Sequence, residues 1–367
     1  MTLALVTAGE SHGPALVAVL SGLPAGLLLE RTAIDNDLAR RREGYGRSPR
    51  QRFETDEVEV IAGLRHGRTL GSPLALLVRN RDHRSWTWGM NPWPPEGKPE
   101  GKGTKPVTLP RPGHADLAGV QKFGLADVRD ALERASARQT AATVAAGAVA
   151  KALLHEVGVT VEGRVLELGG ERTEDGMRSA VDAARDDRDT LGGVVEARAS
   201  GVPPGLGSYA TRVERLDGRL AGALASIQAV KGVEIGDGFA LARLRGSQAH
   251  DEILRDDKGV HRETNRAGGI EGGISNGEDI VVRAAMKPLP TLMRPLQSVD
   301  LETGEPAEAL VERSDTAAVE ALAVVAEAAV AFELARAARE KFGGDALQDL
   351  VAAQRAYLER IAGTWRR

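Results

Sequence analysis

The chain has 367 residues, 42% of them hydrophobic and 27% charged, enough to enclose a sizeable core in one large or two ordinary domains. It contains no cysteine, which excludes disulfides, thiolate metal sites and cysteine nucleophiles, and its net charge of −4 gives no overall drive toward nucleic acid or acidic membranes. No apolar run is long enough to span a bilayer, and residues 2–6 run straight into a glycine-rich turn instead of forming a secretory leader, so a soluble, cytoplasmic protein is expected.

Residues 2–20 read as two short strands around the turn Ala8-Gly9-Glu10-Ser11-His12-Gly13-Pro14. That turn is either an incidental surface feature or a device that presents Ser11 and His12. Residues 34–42 read as a helix with a basic end at Arg40, Arg41 and Arg42, followed by Gly44-Tyr45-Gly46-Arg47. Cations there suit the helix dipole, and the same cluster could hold a polyanion. Residues 58–80 carry strand-like segments around Gly63, Gly67 and Gly71. From 79 to 110 periodicity is lost among Trp86, Trp88, Trp93, Pro94 and Pro95, which points to a mobile loop over about 82–110, a lid or a disordered excursion. As a lid it is expected to be cut by proteases without ligand and protected with it. Aromatic and basic residues interleaved in this way are also seen in single-strand nucleic-acid binders.

Residues 111–141 follow, RPGHADLAGVQKFGLADVRDALERASARQTA, with His114 and Asp116 in a Pro/Gly turn. Arg134, Ser136, Arg138 and Gln139 stand at the mouth of an alanine-rich helix, an arrangement suited to a phosphorylated ligand. The helix continues through Ala146, Val149, Ala150, Leu153 and Leu154 to Gly158, and its small residues imply close packing in a buried layer. Strands at 159–168 and 194–200 flank an amphipathic helix near 177–185, and 216–226 forms a further helix. The run 268–277 precedes a strand at 280–286 and matches neither the dinucleotide nor the P-loop fingerprint. Its Gly269, Gly273 and Gly277 repeat the spacing of Gly63, Gly67 and Gly71, which predicts two related halves. A long Ala/Val-rich helix at 316–341 and a more amphipathic one at 345–361 complete the chain, and no linker divides it, so residues 1–367 read as one domain.

The candidate chemistry is carried by His12, His114, Asp315 beside Arg313, and several arginines. Histidine moves protons near neutrality, and fixed positive charge stabilises a departing anion. No HExxH or His/carboxylate cluster at ligand spacing signals a metal.

The segments AGESHGP (8–14), LARRREGYGR (38–47), RPGHADL (111–117), RASARQTA (134–141), QAVKGVEIG (228–236), AGGIEGGISNGEDI (267–280), MKPLPT (286–291) and ERSDT (312–316) together resemble the chorismate synthase family, in order, over nearly the whole chain. The resemblance implies an α+β fold, a layered β-α-β sandwich with central helices between antiparallel sheets, assembled as a homotetramer. It implies a lyase that converts 5-enolpyruvylshikimate 3-phosphate to chorismate and phosphate by anti-1,4-elimination, the last shikimate-pathway step toward the aromatic amino acids. Reduced FMN is required without net redox change, because two groups leaving from opposite faces disfavour a concerted path.

By motif, His12 resembles the residue that protonates the departing phosphate, with Ser11 beside it. His114 resembles the one at the flavin pyrimidine edge, and Asp315 the carboxylate that relays the substrate proton through flavin N5. Arg41, Arg47, Arg111, Arg134 and Arg313 match arginines around substrate anions and flavin. Arg41 and Arg47 are also associated with NADPH in the family, although substrate anions are the better physical partners. The flavin positions are Arg134, Ala135, Ser136, Gln228, Ala229, Gly272, Lys287, Pro288, Leu289, Pro290, Thr291 and Arg313. NADPH enters as an indirect reductant, and a separate flavin reductase is the expected partner. Relatives often continue after ERSDT with Cys and a Val-Pro pair, where this chain has Ala317-Ala318-Val319-Glu320. Two other readings stay open: nucleic-acid binding through residues 40–52 and the Trp-rich loop, and a flavin binder without lyase activity.

Overall fold

The structure, a computed structural model, describes residues 2–47, 56–256, 259–312 and 315–364. Apolar alternation with period two builds the first sheet. In β2 (Ala15–Ser21), which follows β1 (Ala4–Ala8), Leu16, Ala18 and Leu20 are buried while their neighbours are half-buried. Helix α1 (Arg31–Arg42), β3 (Val58–Ala62), a small hairpin of β4 (Leu64–Arg65) and β5 (Arg68–Thr69), and β6 (Leu74–Arg79) follow. The long strands pair antiparallel in the order β1-β2-β6-β3. Then come α2 (Asp116–Phe123), α3 (Val128–Ala135) and α4 (Thr140–His155).

The second half begins with β7 (Thr160–Leu168), α5 (Glu174–Asp186), β8 (Gly193–Ser200), α6 (Leu216–Ala225), β9 (Val230–Ile235) and α7 (Gly246–Ala249). Two hairpins follow, β10 (Ile253–Asp256) with β11 (Gly259–Arg262) and β12 (Ile270–Glu271) with β13 (Ile274–Ser275), and then β14 (Ile280–Met286). A pair of short strands, β15 (Gln297–Val299) and β16 (Pro306–Glu308), precedes α8 (Val319–Phe342) and α9 (Leu347–Thr364). The second sheet is ordered β7-β8-β14-β9, again antiparallel.

The echo of glycines is an echo of topology. Counting the long strands of each half in chain order, both sheets run first-second-fourth-third, with a helix after the second strand and a small hairpin before the fourth. Gly63 and Gly269 hold equivalent left-handed positions, φ 85° and 77°. A Cβ on Gly63 would lie 2.4 Å from the Pro73 carbonyl and one on Gly269 2.5 Å from the Asp279 carbonyl, in each case the residue just before the fourth strand. Only glycine meets both demands.

Helices α4 and α8 fill the space between the sheets, α4 against β2 and β6, α8 against β7 and β8, and each against the other. Their contact depends on small residues, since a Cβ on Gly147 would come within 2.3 Å of the Ala328 Cβ, and so does that of α8 with β7, where one on Gly163 would lie 2.2 Å from the Ala323 carbonyl. At the edge of this layer lies an ion cluster centred on the buried Glu327. Glu327 accepts from Arg40 (2.8 and 2.9 Å), Lys151 (2.6 Å) and the Gly163 N–H (2.9 Å), and Lys151 also pairs with Asp37 (2.5 Å). Burial would raise the Glu327 carboxyl, but Arg40 and Lys151 hold it below the usual range.

Three expectations differ from the structure. Helix α1 begins at Arg31, where an i,i+4 pair with Asp35 supports its first turn. The helix expected to run on from residue 134 is broken: α3 ends at Ala135, Ser136 caps a 3₁₀ turn over Ala137–Gln139, and α4 starts at Thr140. Residues 82–110 contain anchors as well as irregular chain. Arg81–Ser85 forms a 3₁₀ turn, Trp86 is only 7% exposed, and Val107 joins a small second core with Val120, Val128 and Leu132, whereas Trp93 is 76% exposed.

Candidate active site

The break between α3 and α4 faces the turn between β1 and β2, and the two form one side of a cavity of about 630 Å³. The Ser11 N–H donates to the Glu133 carbonyl (3.1 Å). The Glu133 carboxylate accepts from the His12 backbone N–H and from the His12 ring Nδ1, both at 2.8 Å. The His12 ring stacks on Trp86 with centroids 4.0 Å apart, and His83 Nδ1 donates to the His12 carbonyl (2.9 Å). Ser136 Oγ donates to Ser11 Oγ (3.2 Å), joining the turn to the helix mouth.

His114 is held in a comparable way. Its Nδ1 donates to Asp116, a fully buried residue at the start of α2, through a short hydrogen bond. Asp116 also accepts from the Arg111 N–H (3.0 Å), Nε (2.8 Å) and Nη2 (3.2 Å). Burial acts to raise the Asp116 carboxyl, yet the hydrogen bonds from His114 and Arg111 outweigh it and keep it well below the usual carboxylate range. Arg111 reaches on to Thr291 Oγ1 (3.1 Å) and Glu312 (3.2 Å), which draws these two residues to the same wall. In both histidines Nδ1 is committed to a buried carboxylate, and Nε2 is the nitrogen left for chemistry.

Arg41, Arg47 and Arg138 form the cationic side. Arg47 pairs with Asp315 (2.8 Å), and Arg138 with Asp56 (2.6 Å) and Asn80 Oδ1 (3.0 Å). Arg41 donates to Thr140 Oγ1 (2.8 Å) and the Ala137 carbonyl (3.1 Å) and stands 3.5 Å from Asp56. Burial pushes the Arg41 guanidinium down to about 9, against the opposing pull of Asp56, with Arg138 and Arg47 adding to the drop. An anion delivered beside this destabilised cation would be strongly favoured. The same cavity is also lined by the apolar side chains Leu132, Leu322 and Val325 and by Gln228, Ala229, Lys287 and Leu289. Ala229 is held at φ 68°, its carbonyl accepting from the Lys287 N–H (3.0 Å), and Lys287 Nζ bonds the Gly113 carbonyl. A non-glycine residue in that region is strained, and such strain gathers at functional sites.

Of the expected site residues, Ser11, His12, Arg41, Arg47, Arg111, His114, Ala135, Ser136, Gln228, Ala229, Lys287, Leu289, Pro290, Thr291 and Asp315 line this one cavity. Pro288 does not line it, and the Arg134 guanidinium turns away to the carbonyls of Thr7 (2.9 Å) and Gly9 (3.2 Å), where it braces the His12 turn instead of facing a phosphate. Gly272 lies apart in the β12–β13 hairpin, its carbonyl accepting from Arg215 (3.3 Å). Arg313 lies outside the described residues. Sequence reasoning passed over Glu133, Asp56 and Asn80 as site groups and left Arg138 and Asp116 without a role. Glu133 and Arg138 flank the motif Arg134-Ala135-Ser136, which was the available signal, whereas nothing local distinguishes Asp56.

The basic run at 40–42 does not form an outward stripe, because Arg40 is spent on Asp37 and Glu327 and Arg41 is buried. Among the described residues no group of three or more His, Asp or Glu could hold a metal, and no helix is long and apolar enough to cross a membrane.

A family model described as chorismate synthase matches residues 3–338. The chain is 54% identical over 383 residues to a chorismate synthase of Desulforudis audaxviator, covering 97% of each sequence. It is 53% identical over 379 residues to one of Rubrobacter xylanophilus, covering 97% of this chain and 96% of that one. A crystal structure of chorismate synthase superposes with a TM-score of 0.78 at 37% identity over 99% of both chains. With this fold and these matches along nearly its whole length, the chain belongs to the chorismate synthase family.

Proposed function

We propose that this protein is a lyase that converts 5-enolpyruvylshikimate 3-phosphate to chorismate and inorganic phosphate with reduced FMN bound. The observation that carries the reading is the convergence of residues distant in sequence on one cavity, with two histidines held on buried carboxylates facing an arginine-rich side. Substrate phosphate and carboxylates suit Arg41, Arg47 and Arg111, since guanidinium forks match both groups. His12 donates a proton from Nε2 to the leaving phosphate oxygen, which lowers the charge that must depart. Asp315, oriented by Arg47, is the carboxylate that finally takes the ring proton.

The lining suits an isoalloxazine: apolar side chains for a ring face, Gln228, the strained Ala229 backbone and the 287–291 segment for its polar edge, and Ala135 and Ser136 beside it. His114, its Nδ1 committed to Asp116, offers Nε2 to that edge. Reduced FMN, when bound, supplies electron density that eases loss of the two groups from opposite faces of the substrate. Cytoplasmic location, a homotetramer and FMN reduced by a separate reductase belong to the same reading.

The test is an anaerobic assay with chemically reduced FMN and 5-enolpyruvylshikimate 3-phosphate. Chorismate is expected from the parent, with sharply lower turnover in His12→Ala and His114→Ala at unchanged folding. No chorismate from the parent rejects the reading, and parent-like rates in the variants remove the acid/base roles. Chorismate formed aerobically with NADPH alone would replace the separate reductase by an intrinsic one.

A further inference from the structure

We propose that Glu133 is a positioning residue for proton donation, fixing both the rotamer and the tautomer of His12; this rests on the reading of His12 as the group that protonates the leaving phosphate. Glu133 sits in the last turn of α3, is 2% exposed, and uses its two carboxylate oxygens on two different donors of one residue. Oε2 takes the His12 backbone N–H and Oε1 takes the ring Nδ1, each at 2.8 Å. One rigid carboxylate therefore refers the ring to its own backbone, and stacking on Trp86 at 4.0 Å restricts the remaining rotation. The nearest cation to Glu133 on its own helix is Arg129 at 3.6 Å, which lies over the Trp86 ring.

The chemistry explains why a carboxylate stands here. Before transfer the ring carries protons on both nitrogens, and both oxygens of Glu133 face N–H groups, which only an acceptor pair satisfies. The Nε2 proton then passes to the phosphate oxygen as the C–O bond breaks, its electron pair staying on Nε2. The ring left behind is the neutral tautomer with hydrogen on Nδ1, still donating to Oε1, so no hydrogen bond around His12 is broken by the step.

A glutamine cannot do this. Its single carbonyl oxygen must serve the His12 backbone N–H, which has no alternative state, and its NH₂ is turned toward Nδ1. Nδ1 then becomes an acceptor and the neutral ring keeps its proton on Nε2, the atom that has to lose it. Asp116 differs in this respect, because three Arg111 donors hold it whether or not His114 does.

The experiment compares the full-length parent with Glu133→Gln by ¹⁵N NMR of ring-labelled histidine, the His12 signals being assigned by their loss in His12→Asn, and by chorismate formation with reduced FMN. The parent is expected to show a protonated, hydrogen-bonded Nδ1 at His12, and Glu133→Gln a neutral ring protonated at Nε2. Turnover should fall by about 10²- to 10⁴-fold with KM little changed, from the usual contribution of a positioned general acid up to the loss seen when the carboxylate behind a catalytic histidine becomes an amide. A His12 Nδ1 without a proton in the parent, an unchanged tautomer in the variant, or a parent-like kcat overturns the proposal. Should Glu133→Gln not fold, the parent spectrum alone decides. Failure of the functional reading is separate: a parent that makes no chorismate yet shows the tautomer switch refutes the reaction and not the role of Glu133 in setting His12.

Discussion

Replacing Arg41 by glutamine should leave the ligand-free protein about as stable as the parent while removing much of its response to anions. Burial lowers this guanidinium from its ordinary strongly basic value to about 9, and at about 1.4 kcal/mol per tenfold change in proton affinity the folded chain bears a penalty on the order of 5 kcal/mol for keeping it charged. Glutamine forfeits the hydrogen bonds to Thr140 and the Ala137 carbonyl, worth about 1–3 kcal/mol each for a charged donor. The balance lies between about 1 kcal/mol against the variant and about 3 kcal/mol in its favour, a change in melting temperature from about −1 to +4 °C for a chain of this length.

The sign has a pH signature. With the folded value below the unfolded one, the parent bears the full penalty below pH 9 and is relieved of it as the pH rises from about 9 toward the ordinary arginine value, so the gap should close in alkali. Thermal unfolding at low ionic strength, at neutral pH and again above pH 9, with and without inorganic phosphate, reads both effects. A variant melting well below the parent without phosphate, or keeping the parent's full phosphate-induced rise, would refute the view of Arg41 as a cation held for an absent anion.

Asp116→Asn should cost at most about 3–5 kcal/mol, since it leaves the buried Arg111 with Glu312 as its remaining anionic partner. Because the folded Asp116 carboxyl is depressed, its contribution is complete above the ordinary value of 3.8 and lost as the pH falls toward the folded one. The parent–variant gap in denaturant midpoints should therefore narrow in acid, and a gap that stays constant would show that the ion pair is not its source. Gly147→Ala should destabilise by about 1–3 kcal/mol, because its Cβ would meet Ala328 at 2.3 Å. A parent-like denaturation midpoint would mean that α4 and α8 can separate without loss.

Local pattern carried a good share of this protein. The glycine run and the apolar stretch after it located β14, small-residue composition located α4 and α8, and glycine spacing disclosed the duplicated topology, because each is imposed by backbone geometry within a few residues. The motifs also named most of the cavity's lining, including His12, His114 and Asp315. What the chain order could not express was which partner each group takes. Arg40 reads the same as Arg41 on a basic helix end, yet one closes an ion cluster on the buried Glu327 and the other is stranded beside Asp56. Arg134 reads as a phosphate ligand and is a brace for the Thr7–Gly9 backbone, while Glu133, one residue earlier, reads as an ordinary helix glutamate and holds His12 across a separation of 121 residues. Hydrogen bonding is decided by distances of about 3 Å between atoms remote in the chain, and only the packing of the two halves around α4 and α8 sets those distances.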